Sequence, residues 1–350
     1  MHAFLDDWVA GVHWSWLVVI FGCSIAILGL SADRLVELAV DLSLRTGLPR
    51  VIVGATVVSL GTTMPEAAVS VYAAFQGEPG LALGNAVGSI ICDTGLILGL
   101  ACIITPLPID RKLVNRQGWI QFGAGVLLIA CCIPWSAPLS AFGKNSAAAL
   151  PQMVGWGFLG LLVAYMIWSV RQAGSVEPDD QSEEIESVVG RSSQLLVGLM
   201  FVACLFLVGS STVLVSATKE MAFRADVPTG IISATVLAFG TSLPELVTAM
   251  TAVRRGHGEL AVGNVIGADI LNVLFVAGAS ASVTSQGLAA DENFFLIQFP
   301  FMLLVLVLFR VGIVTARNDR LARPFGIALL VSYVVYLSYM VYKVLNGPSA

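Results

Sequence analysis

Residues 55–93 and 234–272 of this 350-residue chain align without a gap, with about 15 of 39 positions identical. Each copy carries Gly-Thr-Thr/Ser-x-Pro-Glu, at Gly61–Glu66 and Gly240–Glu245. At the same spacing each then carries Gly-Asn-x-x-Gly, at Gly84–Gly88 and Gly263–Gly267. A duplication of this kind means that one local structure is built twice and must pack as a pair. The surroundings narrow the choice: 57% of residues are hydrophobic and only 12% charged, with mean hydropathy +0.87, whereas soluble domains are about 25% charged. A repeat inside so apolar a chain points to transporter architecture. Each copy also sets a glutamate where lipid disfavours one. A charge at the bilayer centre costs roughly 2.5 kcal/mol or more, so an intramembrane acid marks a functional site by default.

The same composition excludes other classes. Nucleic acid is not an expected partner, and no obligate protein partner or cofactor is evident. The six cysteines, Cys23, Cys92, Cys102, Cys131, Cys132 and Cys204, lie in apolar runs without metal-ligand spacing and read as small core residues. Met1 to Trp8 contains Asp6 and Asp7 instead of a basic region, so the first apolar run reads as a retained span. No histidine lies near a span-centred serine or aspartate, which argues against an enzyme.

Apolar runs of about 20 residues, the length that spans a bilayer, occur ten times, near 14–32, 51–75, 81–104, 118–135, 150–170, 194–216, 230–253, 260–283, 294–314 and 324–343. Under this scheme 14 of the 18 Lys and Arg residues are counted with the loops following the odd-numbered spans, among them Arg310, which lies within the last turns of the run 294–314. Only Lys144, Lys219, Arg224 and Lys343 fall on the other side. This asymmetry places the first set in the cytoplasm and both termini outside. Five spans separate the copies, and an odd separation turns the second upside down. The expected fold is an all-α integral membrane protein of ten transmembrane helices in two inverted five-helix repeats, with helices broken at a midplane ion site. The first half covers 1–171 and the second 194–350. The stretch 172–193, rich in Asp and Glu, is an acidic cytoplasmic linker, too short for a regulatory domain.

Local chemistry points to a cation. Pro65 and Pro244 interrupt apolar helices and free a carbonyl each. Glu66 and Glu245 directly follow them and so fall at the start of a new helical segment, where negative charge is favoured. Thr62 and Thr63 share a helix face with Glu66, and Thr241 and Ser242 do so with Glu245. On the next span Asn85, Ser89 and Asp93 recur at i, i+4, matched in the second copy by Asn264, Ala268 and Asn272. The glycine pairs beside these stripes read as packing devices. All of these candidate donors are oxygens, with no imidazole or thiolate among them. That favours a hard cation such as Ca²⁺ or Na⁺ over zinc or copper. Trp14, Trp16, Trp119 and Trp168, near span ends, read as interfacial anchors.

These paired motifs resemble the alpha repeats of the sodium/calcium exchanger family, within the cation/Ca²⁺ antiporter superfamily, and the span count is similar to that of its prokaryotic members. The motif regions cover about a quarter of the chain. The resemblance implies that Glu66 and Glu245 are shared Ca²⁺ and Na⁺ ligands, helped by the carbonyls of Thr62 and Thr241. It implies that the hydroxyls of Thr63 and Ser242, the carbonyls of Ser59 and Ala238, and Ser89 match Na⁺-binding positions, and that Asp93 and Asn272 match the two central polar positions. The implied activity is exchange of Ca²⁺ for Na⁺ by alternating access, in a prokaryotic plasma membrane.

The chain departs from the family pattern in three ways. Archaeal-type members carry Asn at the first central position and Asp at the second, the reverse of Asp93 and Asn272. Ala268 replaces a usual serine. Ile90 and Asp269 occupy positions commonly held by Asn. Asp269, about 100° around the helix from Ala268, reads as a secondary or gating residue. The lost hydroxyl keeps H⁺-coupled and K⁺-dependent Ca²⁺ exchange open as alternatives, with a Ca²⁺ channel as a more distant one.

Overall fold

Long apolar runs in this chain become helices because a lipid-facing backbone must satisfy its own hydrogen bonds. The computed structural model describes residues 8–143, 148–173, 192–225, 240–316 and 318–346. They form eleven main helices: α1 (Trp14–Thr46), α2 (Arg50–Thr62), α3 (Met64–Phe75), α4 (Pro79–Ile104), α5 (Arg111–Cys132), α6 (Gln152–Ala173), α7 (Ser193–Arg224), α8 (Leu243–Arg254), α9 (Gly258–Ser282), α10 (Phe294–Thr315) and α11 (Arg323–Asn346). Among the described residues seven helices are long and apolar enough to cross a membrane, or eight if the bent pair α2–α3 counts as one span. The chain is a multi-pass membrane protein.

The helices sort by burial. α9 is buried over 94% of its apolar window and α4 over 72%, whereas α6 and α11 are buried over only 22%. The motif-bearing helices are therefore the core, and α6 and α11 present most of their surface outward. α1 and α7, of 33 and 32 residues, pack against each other. At 1.5 Å per residue each is about 50 Å long, well beyond a hydrocarbon core of about 30 Å. Both run past their expected ends at 32 and 216. Charged residues such as Arg34, Glu37, Lys219 and Glu220 sit on the extensions, and the pairs Arg34–Glu37 and Glu220–Arg224 link successive turns at 2.6 Å.

Two short antiparallel ladders tie the connections together. β1 (Leu107–Pro108) pairs with β4 (Arg320–Leu321), and β2 (Ala149–Leu150) pairs with β3 (Leu288–Ala289). Each joins a connection from the first half of the chain to one from the second.

Glycine sets the closest approach. A Cβ on Gly267 would lie 2.5 Å from the Ala55 Cα, and one on Gly263 would collide with the Val51 carbonyl. Gly54 faces back: its Cβ would come within 2.6 Å of the Leu260 carbonyl. α9 and α2 thus touch backbone to backbone, as small residues permit in membrane helices. Gly84 and Gly88 meet no atom closer than 3.8 Å among the described residues, so the packing role expected of all four glycines is seen in the second pair.

One basic residue departs from its expected place. Arg310 falls inside α10, 6% exposed, with its guanidinium bonded to the Asn115 carbonyl at 3.1 Å and side-chain oxygen at 2.6 Å, and lying 4.4 Å from the Trp119 ring centre. Charge-assisted and cation–π contacts hold it there, while its Nε is buried without a hydrogen-bond partner.

Candidate cation site

α2 and α3 meet at Thr63 with a 45° bend. Thr63 has φ −79°, ψ −1°, Pro65 stands in the first turn of α3, and Glu66 follows it. In the second copy Ser242 has φ −85°, ψ 8°, and Pro244 and Glu245 open α8. A proline has no N–H to give the preceding turn, so the sequence Thr/Ser-x-Pro-Glu restarts the helix and leaves the glutamate at its positive end.

A second irregularity falls on the partner helices. α4 widens into a π-turn at Cys92–Ile97, which contains Asp93, and α9 does so at Asn272–Ala277. α2 has a third such turn at Gly54–Val58. π-turns insert a residue into the helical register and recur at functional sites.

These elements bring the two copies together. The Thr63 hydroxyl donates to Glu245 Oε1 at 3.3 Å, and the Ser242 hydroxyl donates to Glu66 Oε1 at 3.5 Å. The Thr62 hydroxyl donates to Asn264 Oδ1 at 3.5 Å, and the Thr241 hydroxyl donates to Asn85 Oδ1 at 3.4 Å. Each contact recurs with the copies exchanged. Asp93 and Asn272, which correspond to one another, meet directly, with Asn272 Nδ2 donating to Asp93 Oδ2 at 3.4 Å. Asn85 is oriented from behind by Ser70 Oγ at 2.9 Å and by the Glu66 carbonyl.

Glu66, Glu245, Asp93 and Asn272 are each 1% exposed. Each retains one buried oxygen without a hydrogen-bond partner: Glu66 Oε2, Glu245 Oε2, Asp93 Oδ1 and Asn272 Oδ1. The bonds that are made, at 3.3–3.5 Å, are longer than the 2.7–2.8 Å usual between oxygens. Buried oxygens so loosely held are the donor set a hard cation takes. Among the described residues no three His, Cys, Asp or Glu side chains gather closely enough to hold a metal by themselves. Any ion here also draws on hydroxyl, amide and carbonyl oxygens.

The remaining expected residues fall as follows. Ser59 is buried on α2; its carbonyl accepts the Thr63 N–H at 2.9 Å and lies 3.4 Å from the Thr62 hydroxyl. Ser89 is 2% exposed, one turn before Asp93. Ala238 lies outside the described residues, as do the start of the expected span 230–253 and most of the acidic linker. Ala268 is fully buried. Sequence reasoning singled out Asp269 but missed its partners Thr94 and Gln121, which bond its carboxyl from α4 and α5. Gln117 and Gln121, spaced i, i+4 within the apolar run of α5, are the signal that was available for them.

A family model described as sodium/calcium exchanger protein matches residues 16–171 and 195–342. A sodium/calcium exchanger of Methanosarcina acetivorans is 27% identical, the alignment covering 94% of this chain and 99% of the relative. An uncharacterized membrane protein of Methanocaldococcus jannaschii is 30% identical over 82% of this chain and 85% of its own length. Inner membrane protein YrbG of Escherichia coli is 30% identical over 89% and 92% respectively. Among solved structures, the sodium-calcium exchanger NCX_Mj, soaked with 2.5 mM Na⁺ and 10 mM Sr²⁺, superposes with a TM-score of 0.74 at 25% identity, covering 92% of this chain and 98% of that one. This chain belongs to the sodium/calcium exchanger family.

Proposed function

We propose that the protein exchanges Ca²⁺ for Na⁺ by alternating access at a single midplane site shared between two inverted halves. The observation that carries this reading is the reciprocal pairing of Thr63 with Glu245 and of Ser242 with Glu66, which joins both glutamates into one buried cluster with unpartnered oxygens. Glu66, Glu245 and Asp93 supply up to three negative charges. One Ca²⁺ and several Na⁺ compete for overlapping oxygens, from Thr62, Thr63, Thr241, Ser242, Ser59, Ala238, Ser89 and Asn272 besides the acids. Exchange follows because only a charge-compensated site can pass the apolar barrier.

Ten spans in two inverted five-helix halves, divided at the linker 172–193, fit the same picture. The family model matches in two blocks on either side of that linker. The exchange of copies in every cross-contact of the site supports a pseudo-twofold relation, and so do the ladders, since β1–β4 and β2–β3 interchange under it. Lys112, Arg320 and Arg323 flank the β1–β4 ladder, which supports a cytoplasmic position for that end, with both termini on the opposite side of a prokaryotic plasma membrane. α1 and α7 are the elements suited to slide across the site, being long and paired with each other.

Proteoliposomes loaded with Na⁺ and diluted into Na⁺-free buffer test the proposal. Uptake of ⁴⁵Ca²⁺ that requires the outward Na⁺ gradient is expected. Ala268, which offers no hydroxyl where the first copy has Ser89, favours H⁺ or K⁺ coupling as the second reading. Uptake driven by a pH or K⁺ gradient and indifferent to Na⁺ would decide for it. Flux that needs no counter-ion would point to a channel.

A further inference from the structure

The two copies differ at one step of their polar stripes. The first carries Ser89 followed by the apolar Ile90, and the second carries Ala268 followed by Asp269. The polar group has moved one residue around α9, and Asp269 turns to a different set of neighbours.

Those neighbours come from two other helices. Thr94, which follows Asp93 in the π-turn of α4, donates its hydroxyl to Asp269 Oδ2 at 2.5 Å. Gln121 of α5 donates its amide to the same oxygen at 2.6 Å, and the amide also lies 3.2 Å from the Thr94 hydroxyl. Asp269 is 2% exposed and its other oxygen, Oδ1, is buried without a hydrogen-bond partner. Two short donors converging on one carboxyl oxygen are the arrangement an ionised carboxylate accepts. A buried carboxyl group with a bare oxygen is relieved either by a proton or by a cation set against it.

We propose that Asp269, with Thr94 and Gln121, forms a second cation position beside the central cluster, and that it takes Na⁺. The proposal rests on the reading of the central cluster as an exchange site. It adds a fourth acid to the three proposed there, and a single negative charge with one bare oxygen, Oδ1, suits a monovalent ion. Its rigid anchoring on one side suits a small ion of fixed place.

Equilibrium binding of ²²Na⁺ and ⁴⁵Ca²⁺ to the purified full-length protein tests this. Asp269→Asn keeps the shape of the side chain and removes its charge. The expected result is loss of one bound Na⁺ per protein at saturation, with Ca²⁺ capacity kept. Thr94→Val, which leaves the charge and removes a donor, is expected to weaken that Na⁺ by about tenfold, and it serves as the test if Asp269→Asn does not fold. Unchanged Na⁺ capacity and affinity in the folded variants would overturn the proposal, including the case in which Asp269 binds only a proton. Glu66→Gln separates the two readings: retention of Ca²⁺ binding in that variant counts against the central site, whatever Asp269 does.

Discussion

The glutamate pair and Asp269 are buried to the same degree but held in opposite ways. Glu66 and Glu245 each accept one long contact across the copies, at 3.5 and 3.3 Å, and leave the second oxygen bare. Asp269 is fixed by two short bonds to a single oxygen, at 2.5 and 2.6 Å. Short charge-assisted bonds hold a group in place, whereas contacts beyond 3 Å hold it weakly. A site that must accept ions of different charge in turn needs oxygens that can rearrange, and the loosely held pair has them. The Asp269 carboxyl is already committed on one side. Burial alone therefore does not separate the two; the lengths of the surrounding bonds do, and they fit the roles proposed for the glutamates and for Asp269.

Mutations break this comparison at different depths. Glu66→Gln or Glu245→Gln removes a charge from the loose pair and should lower ⁴⁵Ca²⁺ exchange at least about 100-fold, the scale of losing one member of a buried charge set. Monodisperse elution in detergent should be unchanged, which separates loss of transport from loss of fold. Asp93→Asn should cost less, about tenfold in apparent Ca²⁺ affinity. The double variant Asp93→Asn with Asn272→Asp should recover most of it, because the two side chains meet at 3.4 Å and correspond between copies. A double variant no better than Asp93→Asn alone would show that the copies are not interchangeable there. Smallest is the effect of Thr63→Ala or Ser242→Ala. Each removes one long hydrogen bond worth about 0.5–1.5 kcal/mol at most, so a two- to tenfold shift in the concentration dependence of exchange is expected, similar for both. A large effect from one alone would sharpen the comparison by showing that one glutamate is anchored and the other is not.

Much of the local geometry of the proposed site was legible in the sequence because it depends on neighbouring residues. Pro65 and Pro244 announce the helix restart, and the glutamates that follow them appear in the first turns of α3 and α8 as expected. Placing a carboxylate in each copy was enough to anticipate that the copies meet. What was hidden depends on register and partners. The π-turns at Asp93 and Asn272 have no residue signature in the sequence. Thr94 and Gln121 gain their role only because α4, α5 and α9 converge on Asp269. Arg310 was assigned to a loop on charge alone; Asn115 and Trp119, distant in sequence, hold it inside α10. The lengths of α1 and α7 were underestimated because charged extensions end an apolar run without ending a helix.

The central claim is that the two copies build one site and not two. Saturable ⁴⁵Ca²⁺ binding to purified protein, measured for Glu66→Gln and Glu245→Gln beside the unmodified chain, tests it directly. One shared site predicts that each substitution alone removes the bound Ca²⁺ almost completely. Half of the capacity surviving in each variant would mean two independent sites and would contradict the account.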